Sequence, residues 1–203
     1  MGFYSNLVIP YCIEWAMSSS DLEQYRQQLL ANVSGEILEI GFGTGLNLPY
    51  YPETVTKITT VDPNPGMKKL ARSRIANSRI TVDYKVLNGE SLPMENNRFD
   101  SIVCTWTLCS IPSVKQAIGE VHRLLKPGGK FFFIEHGLSK DASIQFWQNC
   151  LTPLQKVIAD GCHLNRQISD LVGLQFSDVT TEQFYAPELP KVIGYMYQGV
   201  AVK

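Results

Sequence analysis

Five strand-and-helix units run through residues 36–159, and two further strand patterns follow with no full helix pattern between them. The runs 36–40, 57–62, 80–87, 99–105 and 130–135 are rich in β-branched, aromatic or other apolar residues and read as strands. Between them lie stretches with helical spacing: Met67, Leu70, Ala71 and Ile75, then Val114, Ile118, Val121 and Leu125. Alternation of this kind predicts a mostly parallel sheet covered on both faces. The segments 176–184 and 193–202 are also strand-like, and Pro187 and Pro190 mark a loop between them. The expected architecture is therefore α/β: a doubly wound sheet of seven strands, mostly parallel, ending in an antiparallel hairpin, with helices on both faces. The 203 residues suit one domain over 1–203, with a helical cap at 1–33 and the core at 34–203.

Charge narrows the partners. With 18 basic and 19 acidic residues there is no cationic excess to release counterions from nucleic acid, so a small-molecule partner is expected. The cysteines, Cys12, Cys104, Cys109, Cys150 and Cys162, form no Cys-x-x-Cys pair and match no zinc spacing. They read as reduced, mostly buried thiols of a cytoplasmic protein, and no metal is implied. The first basic residue is Arg26, so a secretory signal is not expected, and Asn6 departs from the myristoylation pattern begun by Met1-Gly2. The stretch 7–17 is apolar but short and contains Glu14, so it predicts no transmembrane segment and leaves peripheral membrane contact open. It reads as part of a helical, core-facing region from Tyr4 to Ala31, with Tyr4, Tyr11 and Trp15 also placed to cover a ligand.

The chemistry concentrates at strand ends. Glu39-Ile40-Gly41-Phe42-Gly43-Thr44-Gly45 follows the first strand and is expected to precede a helix. Glycines there let backbone amides approach a ligand closely. The spacing is Gly-x-Gly-x-Gly, and Leu46 breaks the dinucleotide form. Asp62 ends the second strand, 21 positions after Gly41, where a carboxylate accepts both hydroxyls of a ribose. Asn88-Gly89 follows the third strand, and Cys104-Thr105-Trp106-Thr107-Leu108-Cys109 ends the fourth, the sheet end where open α/β folds bind ligands. Leu125-Lys126-Pro127-Gly128-Gly129 reads as a helix stop that aims the fifth strand. Pro153 is expected to kink or split the helix over 142–159.

Together the glycine loop, the strand-end acid, the Leu92-Pro93 turn and the Leu-Lys-Pro-Gly-Gly stop resemble class I S-adenosylmethionine-dependent methyltransferases of the type 11 group, which have a Rossmann-like fold. Within that group the chain is most similar to the thiol S-methyltransferases, over residues 38–203. The likeness rests on Asp62-Pro63-Asn64-Pro65, Leu108-Cys109-Ser110, Glu135-His136, Trp147-Gln148, the terminal Ala201-Val202-Lys203 and above all Asp160-Gly161-Cys162 with Leu164 and Arg166. Phe42 stands where that family commonly has Cys, Asn165 where it has Thr, and the N-terminal anchor of its animal members is not matched.

The resemblance implies S-adenosyl-L-methionine as cofactor, with S-adenosyl-L-homocysteine as product. It implies that Glu39 and the loop glycines Gly41, Gly43 and Gly45 hold the amino-acid part, Asp62 the ribose, Asn88 and Gly89 the adenine, and Thr105, with Thr107, the donor's methyl region. His136, Asp160 and His163 are the candidate catalytic residues beside an acceptor, which is a thiol on the closest likeness. Arg166 is an equal candidate for a structural carboxylate pair. Methylation of a phospholipid headgroup or quinone precursor, and a non-catalytic or nicotinamide-binding α/β protein, are the alternatives.

Overall fold

The computed structural model describes residues 8–203. The readings made on Met1, Gly2, Tyr4 and Asn6 lie outside the described residues. The strands are β1 (Ile37–Ile40), β2 (Lys57–Val61), β3 (Thr81–Lys85), β4 (Phe99–Thr105), β5 (Leu125–His136), β6 (Asp178–Tyr185) and β7 (Tyr195–Val202). They form one sheet in the order β3-β2-β1-β4-β5-β7-β6. The first five pair in parallel, and β7 runs antiparallel to both β5 and β6. The expected sheet and its terminal hairpin are both present. The order reverses between β1 and β4, so a crevice opens beyond their carboxyl ends.

Six α-helices are described: α1 (Ile9–Met17), α2 (Glu23–Leu30), α3 (Pro65–Ala76), α4 (Val114–Leu124), α5 (Ala142–Ile158) and α6 (Ile168–Gly173). The alternation along each central strand divides the core in two. Leu38, Ile40, Ile102, Cys104, Phe131 and Phe133 pack with α4 and α6 residues such as Ile118, Val121 and Val172. Ile37, Val103, Phe132 and Ile134 face the other way, toward Leu29, Leu30, Tyr51 and Ala71.

Four local readings are corrected. No α-helix follows the glycine loop: only a single 3-10 turn, Leu48–Tyr50, lies between β1 and β2. Pro52 forces Tyr51 into an extended conformation (ψ 142°), which ends the turn at once. The Pro127-Gly128-Gly129 segment does not separate helix from strand. Helix α4 ends at Leu124, and β5 already pairs at Leu125, with a register shift opposite Phe99 and Ser101. Gly128 N–H donates to the Lys203 carbonyl and Lys203 N–H to the Gly129 carbonyl, so the bulge is closed by the last residue. Helix α5 runs through Pro153 without a split; Asn149, whose carbonyl the proline leaves without its helical donor, is exposed to solvent. Finally, α1 is not simply core-facing: Ile9 and Pro10 are buried, while Tyr11 and Trp15 are exposed.

Among the described residues no helix is long and apolar enough to cross a membrane.

Candidate active site

Three glycines of the loop after β1 have positive φ, and two of them show different reasons for being glycine. A Cβ on Gly41 (φ +76°) would lie 1.9 Å from Thr107 Oγ1, so the loop packs directly on the segment after β4. At Gly43 (φ +55°) a Cβ would meet nothing nearer than the Gly41 carbonyl at 4.0 Å, so the left-handed backbone there faces open space. The loop is tied to the end of β2 by Asp62: its Oδ2 accepts Gly43 N–H and its Oδ1 accepts Asn64 N–H, each at 2.8 Å. Burial pushes the Asp62 carboxyl up to about 6, against the two backbone donors, and the charge of Asp160 adds to the rise. Each Asp62 oxygen keeps a further lone pair for a ligand hydroxyl.

Glu39 lies behind the loop, 1% exposed. Its Oε1 accepts Asn47 Nδ2–H and its Oε2 accepts the Tyr51 hydroxyl, both at 2.8 Å. Burial raises its carboxyl to about 7, opposed by those two donors and by the positive charge of Arg26. Asn47 also donates to Thr105 Oγ1 at 3.1 Å, so it links the ends of β1 and β4. Arg26 comes from α2. Its guanidinium stacks over the Trp106 ring, 4.7 Å from the centroid, and donates to the Met17 carbonyl at 3.0 Å. Arg74 of α3 pairs with Glu14 of α1 and donates to the Thr44 carbonyl, which fastens the N-terminal helix over the loop.

The opposite wall follows β4. Trp106 has φ +49°, a conformation a bulky side chain rarely adopts, and its N–H donates to the Ile134 carbonyl at 2.7 Å. The next turn is held from beneath by the Glu135 carboxylate. Its Oε1 accepts Thr107 and Leu108 N–H at 2.8 Å, and its Oε2 accepts Cys109 N–H at 3.3 Å. Burial raises Glu135 to about 8, with the Cys109 sulfur as a second cause. Asp160 (φ +46°) and Gly161 (φ +92°) turn the chain after α5 back against this wall.

These segments enclose a cavity of about 450 Å³. That is within the range of about 300–1,000 Å³ that holds small molecules and cofactors. Its lining includes Gly41, Gly43, Asp62, Asn88, Gly89, Thr105, Thr107 and Asp160, with Ile13 and Met17 of α1. Residues 38–133 match a family model described as a methyltransferase domain. Thiol S-methyltransferase TMT1B of Rattus norvegicus is 37% identical over 201 residues, covering 93% of this chain and 82% of the relative. The human thiol S-methyltransferase TMT1A is 34% identical over 183 residues, 87% of this chain and 75% of the relative. This chain belongs to that methyltransferase family. A solved S-adenosylmethionine-dependent methyltransferase from Thermotoga maritima has the same fold, with a TM-score of 0.68 at 20% identity and 98% coverage of both chains.

The methyltransferase places its sequence-predicted residues unequally. Gly41, Gly43, Asp62, Asn88, Gly89, Thr105 and Asp160 meet in the cavity wall. Glu39, Gly45, His136 and His163 are not among the lining residues. Glu39 reaches the wall through Asn47. His136 Nε2 lies 2.9 Å from Cys162 Sγ, and His163 Nδ1 lies 3.1 Å from the Cys109 carbonyl. Among the described residues no carboxylate pairs with Arg166; it donates to the Leu108 carbonyl. Sequence reasoning missed Arg26 and Asn47. The signal for Arg26 was a cation on the apolar face of α2, among Leu22, Leu29 and Leu30.

Proposed function

We propose that this methyltransferase binds S-adenosylmethionine in the cavity and transfers its methyl group to a small-molecule thiol, as a cytoplasmic enzyme. One observation carries the cofactor assignment. Three wall residues have buried polar atoms without partners: Arg26 Nε and Trp106 Nε1 are donors, and Asn47 Oδ1 is an acceptor. Unmet donors and acceptors where the two walls meet, with Arg26 stacked over Trp106 and Asn47 bonded to Thr105, match a zwitterion, whose carboxylate and ammonium need both. Asp62, with spare lone pairs beside the open face of Gly43, suits the ribose hydroxyls. Asn88 and Gly89 are left for the adenine.

The sulfonium methyl is the reactive group, supplied by the bound donor. The protein's part is to align an acceptor with it and keep water out. Asp160 is the carboxylate on the acceptor side of the cavity and takes the thiol proton, leaving the sulfur lone pair to attack in line. The thiol assignment rests on the TMT1 relatives. It is tested by incubating the purified full chain with S-adenosylmethionine and, separately, small alkyl thiols, an ethanolamine phospholipid and a hydroquinone. The expected result is S-methylation with the thiols alone. Methylation of the lipid or hydroquinone instead would overturn the acceptor. Calorimetry with S-adenosylhomocysteine tests the donor independently, and binding of NAD in its place would overturn that.

A further inference from the structure

We propose that Cys109, His136 and Cys162 form a binding site for one thiophilic divalent ion of the zinc type. Their spacing in sequence gives no hint of this, since the residues are separated by 27 and 26 positions. Folding brings them together from three elements: the turn after β4, the last residue of β5, and the turn after α5. Their ligand atoms all lie within 4.8 Å of one another. Both thiols are buried, Cys109 at 2% and Cys162 at 4% exposure.

The cluster is held firmly by its backbone. Cys109 donates its N–H to Glu135, and its carbonyl accepts the His163 N–H at 2.9 Å. Cys162 N–H donates to the Ala159 carbonyl at 3.1 Å, and Gly161, at φ +92°, turns the chain toward it. His136 is fixed by pairing with Met196 across β5 and β7. The sulfurs and the imidazole already bond one another: His136 Nε2 lies 2.9 Å from Cys162 Sγ, and Cys109 Sγ meets His136, Cys162 and Ser110, while His136 Nδ1 is buried with no partner among the described residues. A cation at the shared centre would engage both sulfurs and one ring nitrogen at once.

The donor set decides the ion. Two thiolates and an imidazole favour zinc-like ions over magnesium or calcium, which prefer oxygen. Three protein donors leave a fourth position for water or another ligand, as in open zinc sites. Loading exchanges two thiol protons for one dication, so the net charge of the buried cluster does not change. Gln155 Nε2 lies 3.8 Å from Cys162 Sγ and supplies an outer hydrogen bond. The neighbours Ser110 and Gly161 line the cavity, so a loaded site would brace its acceptor wall.

The test is a Co(II) titration of the reduced, metal-stripped full chain, read by absorption. The expected result is one equivalent bound with thiolate-to-cobalt charge-transfer bands and tetrahedral d–d bands, displaced by Zn(II). The bands should persist in the Cys12→Ser/Cys150→Ser double variant, which removes the two exposed thiols, and be lost in Cys109→Ser and in Cys162→Ser. Absence of a charge-transfer band in the reduced wild type would overturn the proposal without any variant having to fold. So would bands that vanish with Cys12 and Cys150. Formation of a Cys109–Cys162 disulfide under peroxide, in a protein that takes up no cobalt when reduced, would identify the cluster as an oxidisable dithiol instead.

Discussion

The two walls of the cavity are built differently. The donor wall is local in sequence: Glu39, Gly41, Gly43, Asn47 and Asp62 fall within 24 residues, and each holds its neighbour by a short side-chain or backbone contact. The acceptor wall is assembled from distance. Glu135 reaches back to Thr107, Leu108 and Cys109, His163 to Cys109, and Arg166 to Leu108, over separations of 26 to 58 residues. The donor wall is tied to β4 through Asn47 but its own residues hold one another locally, whereas the acceptor wall depends on the whole sheet being in register. Substitutions should therefore separate donor binding from acceptor chemistry.

The largest effect is expected where the walls touch. Gly41→Ala places a Cβ on Thr107 at a left-handed backbone position and should cost about 3 kcal/mol or more of stability, seen as a lowered Tm. Gly43→Ala, in open space, should cost only about 1–2 kcal/mol while still weakening S-adenosylhomocysteine binding in calorimetry. Comparable Tm losses for the two would break the distinction between packing and ligand approach.

Asp62→Asn should come next, weakening S-adenosylhomocysteine by about 10–100-fold, the range for losing hydrogen bonds to a charged acceptor. The pH dependence follows with a definite sign. Burial raises Asp62 to about 6, so below that pH the free protein holds a proton that must leave before the carboxylate can accept both hydroxyls. Donor affinity should therefore fall as pH drops through about 6 in the wild type and stay flat in Asp62→Asn, as linkage requires.

On the acceptor wall, Asp160→Asn keeps a residue that tolerates its left-handed backbone and removes only the charge. Donor affinity should be nearly unchanged, while kcat/KM for a thiol falls about tenfold at neutral pH. The loss is bounded because a thiol of pKa about 8.5 is already a few per cent ionised at pH 7, and it should be recovered at alkaline pH. A matching loss of donor affinity would show that the walls are not separable.

The smallest effect is expected at Glu39→Gln. The carboxyl sits at about 7, already half neutral near pH 7, and an amide keeps its oxygen for Asn47 while its N–H donates to the Tyr51 hydroxyl, which turns from donor to acceptor. The change in denaturation free energy should be under about 1 kcal/mol. Glu39→Ala orphans the buried Tyr51 hydroxyl and one Asn47 N–H and should cost about 2–3 kcal/mol.

Most of the sheet was legible because a strand's two-residue alternation and a helix's three-to-four-residue spacing are local signals. The place of the glycine loop and Asp62 at the cavity was legible for a related reason: glycines and an acid at strand ends act through the backbone beside them. Boundaries failed where one residue overrode the pattern. Pro52 shortened the first crossover to a 3-10 turn, and the terminal Lys203 turned an apparent helix stop into a bulge within β5. Asn47 was missed because its value lies in what it faces across the cavity, which no spacing within the loop records, whereas Arg26 was missed although its place on the apolar face of α2 signalled its burial.

The sequence by itself determined the α/β class, the terminal hairpin and the conformation-bearing glycines of the loop after β1, since each follows from residues within a turn or two of one another. Only the tertiary structure decided that Glu39 acts through Asn47, that His136 turns away from the cavity wall to Cys162, and that Cys109, His136 and Cys162 share one buried centre. The physical reason is reach. A side chain contacts what folding sets within a few ångströms, and for this wall those neighbours come from β4, β5 and the turn after α5.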